Sequence, residues 1–354
     1  RERERESCMA LSVHWYDFLC FAIVGVAALG SLWIIVGANR FRQGRRNVDD
    51  GYVSLAASMP AEDRAKQRPS PGPAHVGAQQ LWGSCWRGVH PGWLLGVRLV
   101  SLVAMVVMLV WDILRYDLLI FVYYTEWTFA LVIVYFALGT LISAHGCWIF
   151  SKQTAMISEE RNRFLKRDLD LDGNRSAAAN SIPNNTSGTI RLQSHQDFED
   201  NEQRAGFWGY AMQVIYQTSA GAVILTDVVF WGLIVPFLSN EHFTLNLLMG
   251  CMHSLNLVFL LLDTALNRLP FPWFRMAYFV LWSCLYVIFQ WILHACGFSW
   301  WPYPFLELAT PWAPLWYFCM ALVHIPCYAF YTLIVKAKNT LFSKWFPDTY
   351  IRSY

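Results

Sequence analysis

Charge is what this chain has least of. Only 15% of its 354 residues are Asp, Glu, Lys or Arg, where an ordinary soluble domain carries about 25%. The formal net charge of +2 says little in total, and nucleic acid is not among the expected partners. No C-x-x-C pair and no Cys/His zinc spacing occurs, so neither a disulfide framework nor a zinc site is expected. There are nine cysteines, but Cys20, Cys147, Cys251, Cys284 and Cys319 lie within apolar blocks, where a reduced, buried thiol is expected. The G-x-S-x-G elbow of serine hydrolases is missing too. Paired intramembrane histidines could ligate haem, but His145, His242, His253, His294 and His324 do not fall at two matched depths. No metal or cofactor is therefore expected, and His324, two residues before Pro326, reads as a packed or kink-associated side chain. Nothing resembles a cleavable signal peptide. Residues 17–37 are followed by arginines and read as a retained anchor, and RERERESC before Met9 reads as a leader outside the fold.

Apolar surface is present in abundance. Hydrophobic residues make up 56% of the chain and aromatics 16%, in blocks of about 20, the length that crosses a hydrocarbon core of about 30 Å. The fold class expected is all-α: a polytopic membrane bundle with a six-helix core and an extra N-terminal span. The seven spans fall near 17–37, 93–113, 124–148, 210–236, 244–266, 273–295 and 312–335. Apolar character around the third runs from Leu118 to Phe150, so part of it could be oblique or re-entrant. Between the spans lie a basic, partly disordered linker over 38–92 and a disordered loop over 151–209. The ends are a 1–16 N-terminus and a 336–354 tail.

Lys and Arg assign the sides. Arg40, Arg42, Arg45 and Arg46 follow the first span, and Lys152, Arg161, Arg163, Lys166 and Arg167 follow the third. Arg268 and Arg275 flank the fifth connection, and Lys336, Lys338, Lys344 and Arg352 lie at the C-terminal end. The alternate connections are nearly free of positive charge. The expectation is a cytosolic C-terminus and a non-cytosolic N-terminus, in the endoplasmic reticulum or the plasma membrane. Sequons at Asn174, Asn184 and Asn185 then fall in the cytosol and stay unglycosylated.

One stretch carries an unusual pattern. Over 246–267, Asn246, Met249, His253, Asn256, Leu260, Asp263 and Asn267 recur at alternating steps of three and four. On a continuous helix they share an arc of roughly 100°. An ionisable residue near mid-bilayer costs about 2.5–3.5 kcal/mol, so such residues face a protein interior or a wet cavity. The fourth span repeats the pattern with Tyr210, Gln213, Gln217 and Asp227. Two readings stay open for these side chains: a functional interior, or interhelical hydrogen bonds worth about 0.6 kcal/mol each. Thr125, in YYTEWTF at the start of the third span, reads alone as a helix N-cap.

The segments WGSCWRGVHPGWLLGVRLV (82–100) and YYTEWTF (123–129) resemble the rolling stone family of multipass membrane proteins. Three more, MGCMHSLNLVFLLLDTALNRLPF (249–271), WWPYPFLELAT (300–310) and the last span, resemble the related androgen-inducible membrane hydrolases. The resemblance implies a Thr nucleophile and a His base, which fall on Thr125 and His253. The chemistry implied is hydrolysis of lipid esters such as fatty acid esters of hydroxy fatty acids, with the substrate entering from membrane lipid. Two positions depart from the hydrolase motifs: Tyr124 replaces a usual Leu, and Met249 a usual Asn. Tyr124 and Asn256 are the guesses for an oxyanion donor, with Gln217, Asp227 and Asp263 as supporting polar residues. Rolling stone relatives share this outline as non-enzymatic proteins of cell fusion or signalling, which is the alternative.

Overall fold

The computed structural model describes residues 14–56, 77–175, 206–238 and 247–352. Among these, seven helices are long and apolar enough to cross a membrane, and the bundle is all-α. The helices are α1 (Trp15–Ala56), α2 (Ala78–Trp82), α3 (Gly92–Tyr116), α4 (Tyr124–Arg175) and α5 (Phe207–Val229). There follow α6 (Leu247–Met252), α7 (Leu255–Leu266), α8 (Met276–Ala295) and α9 (Ala313–Trp345).

The bundle is wound around α5. Every residue from Tyr216 to Thr226 on it is buried, and α4, α7, α8 and α9 all pack against it. Small residues make that possible, because lipid offers no hydrophobic drive and close van der Waals contact must hold the helices together. A Cβ on Gly221 would stand 2.6 Å from the ring of Phe279 on α8. The same device recurs at Gly146 on α4, where Trp82 occupies the space a Cβ would need. The first span is more than an anchor. It packs on α8 and α9, burying Cys20 and Val24 in a second apolar cluster with Cys284, Tyr286 and Tyr317.

Three expectations change. First, the apolar stretch from Leu118 to Phe150 is divided: a 3-10 turn at Leu118–Val122 precedes α4, which starts at Tyr124. Second, α4 continues to Arg175 and α1 to Ala56, so the first parts of both supposed loops are helical. At 52 residues α4 is about 78 Å long, far beyond a hydrocarbon core of about 30 Å. Beyond the span it carries an exposed ion pair at helical spacing, Glu159 with Arg163 at 2.7 Å. The remaining parts of the expected disordered stretches, 57–76 and 176–205, lie outside the described residues, as do Asn184, Asn185 and residues 1–13.

The third change concerns 247–267; Asn246 and His242 lie outside the described residues. The helix breaks at His253–Ser254. The Ser254 N–H bonds the carbonyl of Cys251 at 3.2 Å, three residues back, and Ser254 then serves as the residue before α7. Asn256 supports the new start, its Oδ1 accepting from the N–H of Leu257 at 2.7 Å. The single polar face inferred from a continuous 100° step is therefore two faces on two helices.

The lower of these faces is structural. Asp263 pairs with Arg98 at 2.8 Å, both fully buried. It also accepts from Tyr135 and, at 2.7 Å, from Asn267. Arg98 spends a further N–H on Ser143 at 2.6 Å and on the carbonyl of Leu81 at 2.9 Å. The end of α7 is capped by other parts of the chain. Lys338 Nζ donates to the carbonyls of Thr264 and Asn267 at 2.9 and 3.0 Å. Trp86 Nε1 donates to the carbonyl of Ala265 at 3.1 Å, and the Cys85 N–H to that of Leu266 at 2.8 Å. These are the last carbonyls of a helix, which lack partners inside it. In return the 77–91 segment is held beneath the bundle, with Trp86 against Phe342, Phe346 and Tyr350.

Candidate active site

A cavity opens at the opposite end of the bundle, between the start of α4, the end of α5, the α6–α7 break, α8 and α9. Its volume is about 80 Å³. The wall is almost entirely apolar, with a few polar groups converging on it: Thr125, Tyr124, His253, Ser283, Tyr303 and His324.

Local backbone places each of them. Thr125 sits in the first turn of α4, where backbone N–H groups have no helical partner. His253 occupies the break itself, and its ring stacks on Phe230 with centroids 3.5 Å apart and planes 7° from parallel. Phe230 opens a π-helical run, Phe230–Leu238, containing Pro236. Widened turns of this kind are common at functional sites, and irregular backbone at membrane depth is tolerated where it lines a cavity. The Nδ1 atom of His253 is buried and makes no hydrogen bond.

Tyr303 closes the cavity from the connection between α8 and α9, where Pro304–Leu306 makes a 3-10 turn and Phe305 and Leu306 complete the wall. Its hydroxyl faces the Thr125 side chain and the N–H groups of Thr125 and Tyr124. Burial pushes this phenol up to about 12, a rise that these hydrogen bonds partly offset. It therefore remains an O–H donor throughout the physiological range. Tyr124 turns its own hydroxyl to Ser283 at 2.8 Å.

The sequence-derived candidates divide accordingly. Thr125, His253 and Tyr124 line one cavity, although no hydrogen bond joins Thr125 to His253. Asn256 does not reach it: fully buried on α7, it supports that helix start, and the break removes the one-turn relation to His253 that suggested an oxyanion role. Gln217 is a packing residue, accepting from Arg275 at 2.8 Å and donating to the carbonyl of Pro270 at 2.5 Å. Asp263 belongs to the Arg98 network. Asp227 is half-buried one residue beyond the lining Thr226, and its side chain is not part of the wall.

Ser283, Tyr303 and His324 are the wall residues that sequence reasoning missed. For Tyr303 a signal existed: WWPYPFLEL is too apolar for an exposed connection. His324 gave none, since a histidine before a proline in a span has no marked direction. Comparison of the chain with protein-family models, with curated proteins and with solved structures returns no match.

Proposed function

We propose that this multi-pass membrane protein is a hydrolase of lipid esters, with Thr125 as nucleophile and His253 as its base. The observation that carries the reading is the sharing of one apolar cavity by these two residues, more than a hundred positions apart in the chain. Thr125 Oγ attacks the ester carbonyl carbon as its proton passes to His253. The tetrahedral intermediate collapses, the C–O bond to the alcohol breaks, and His253 returns the proton to the departing oxygen. Water then attacks the acyl-threonine by the same route and releases the acid. The oxyanion that forms twice needs donors in place, and the Tyr303 O–H and the first-turn N–H groups of α4 are at hand. Apolar walls suit an acyl chain arriving from the bilayer. Catalytic hydrogen bonds are often unmade without substrate, so the Thr125–His253 contact would be completed by a bound ester or by one water.

The side assignment from Lys and Arg, with the cavity end non-cytosolic, belongs to the same proposal. The missing Thr125–His253 hydrogen bond favours a second reading, a non-enzymatic rolling stone-like protein. Turnover separates the two. Purified protein should hydrolyse long-chain fatty acid esters, and Thr125→Ala and His253→Ala should each lose at least about 10²-fold in kcat. Equal rates in wild type and both variants would leave only the second reading.

A further inference from the structure

His324 lies on the cavity wall with only 7% of its surface exposed, about three turns into α9 from Ala313. Thr125, by contrast, is in the first turn of α4. The ring of His324 is held against the fully buried Phe279, with centroids 4.6 Å apart. Its Nδ1 lies 2.7 Å from the carbonyl oxygen of Met320. A carbonyl can only accept, so the ring proton is on Nδ1. In the neutral ring, Nε2 is left with a lone pair, and that atom is buried without a partner. No acidic side chain lines the cavity to offset an imidazolium charge.

Four of the protein's own hydroxyls on this wall are committed elsewhere. Thr226 donates to the carbonyl of Ala222 at 2.7 Å, and Tyr286 to that of Val122 at 2.7 Å. Ser283 and Tyr124 are paired with each other. A buried acceptor left unpaired is destabilising, so the wall asks for a donor from outside.

We infer that the cavity takes a lipid bearing a free hydroxyl on its chain, remote from the ester, and that Nε2 of His324 accepts the hydrogen bond from that hydroxyl. The ester part of this rests on the hydrolase reading; recognition of the hydroxyl does not. Sites built to hydrogen-bond a hydroxyl discriminate strongly against the analogue lacking it, because the polar group is then left unpaired. His324 is thus the group that sets specificity, while His253 moves the proton.

The test uses the full chain in lipid nanodiscs and two matched probe pairs. Long-chain fatty acid esters with and without a mid-chain hydroxyl report turnover. Non-hydrolysable long-chain ethers, with and without the same hydroxyl, report binding through the ¹⁵N resonances of labelled histidine. The hydroxylated ester should be preferred at least tenfold in kcat/KM by the wild type. His324→Phe should bring that ratio toward one, whatever it does to the absolute rates. The hydroxylated ether should shift a non-protonated Nε2 resonance that is missing from His324→Phe, and its deoxy partner should not. If that variant fails to fold, the wild-type ratio and shift still decide. Discrimination of the ethers without turnover of either ester would sink the hydrolase reading and keep this one. Equal turnover of both esters together with equal ether shifts would overturn the inference, leaving only water at Nε2.

Discussion

At the scale of single residues, two polar constellations sit at opposite ends of the bundle and do different work. Around the cavity, Tyr303 makes the sharpest prediction. Tyr303→Phe keeps the ring and removes the donor, so kcat should fall by about 10²–10³-fold with the fold intact, the usual loss for one oxyanion donor. Because burial holds this phenol up to about 12, its proton is present at every lower pH. The rate profile should therefore show no loss traceable to Tyr303 between about pH 7 and 9, and a wild-type loss in that window that vanishes in Tyr303→Phe would contradict it. At the other end, Arg98 and Asp263 form a fully buried pair, and removing one partner strands the other charge. Asp263→Ala should cost about 3–5 kcal/mol, read as a lower unfolding temperature in detergent. The sequence exposed Asp263 as a costly residue but kept its partner hidden, since Arg98 lies 165 positions away in the chain. Thr125 was singled out only through the motif resemblance, since spacing alone left it a helix cap, whereas His253 already stood in the polar stripe.

At the scale of elements, span positions were readable because the hydrocarbon thickness fixes a length that composition reveals. Breaks within a span were not. Hydropathy averages over about 20 residues and passes across the one-bond slip at Ser254, although that slip separates His253 from Asn256 and divides the polar stripe. The π-helical run beginning at Phe230 is equally silent in composition, yet it supplies the ring that holds His253. Helix packing offers a direct check. A methyl on Gly221 would meet the buried Phe279 ring 2.6 Å away, so Gly221→Ala should destabilise by roughly 1–3 kcal/mol. Phe279→Leu in the same chain should recover part of the loss. Gly221→Ala with unchanged thermal stability would mean that α5 and α8 do not pack this closely.

At the scale of the whole molecule, the capped end of α7, the 77–91 segment and the C-terminal tail gather at one end, and the cavity lies at the other. The basic flanks mark the first end as cytosolic in the proposed orientation. Two cysteines read this out. Cys296 is exposed just after α8 at the cavity end, while Cys85 is buried at the capped end, where burial holds its thiol above the usual range. A membrane-impermeant maleimide applied from the non-cytosolic side should label Cys296 and leave Cys85 untouched; label on Cys296 only from the cytosolic side would reverse the orientation.

In the proposed hydrolase, Thr125 acts as a nucleophile in the same cavity as His253. The most direct measurement treats the purified protein with an acyl-directed electrophile such as a long-chain alkyl fluorophosphonate, then maps the adduct by mass spectrometry of peptides. The prediction is a single covalent adduct on Thr125, absent in Thr125→Ala and slowed at least about 10²-fold in His253→Ala. An adduct on another side chain, or labelling of Thr125 at an unchanged rate without His253, would contradict the account.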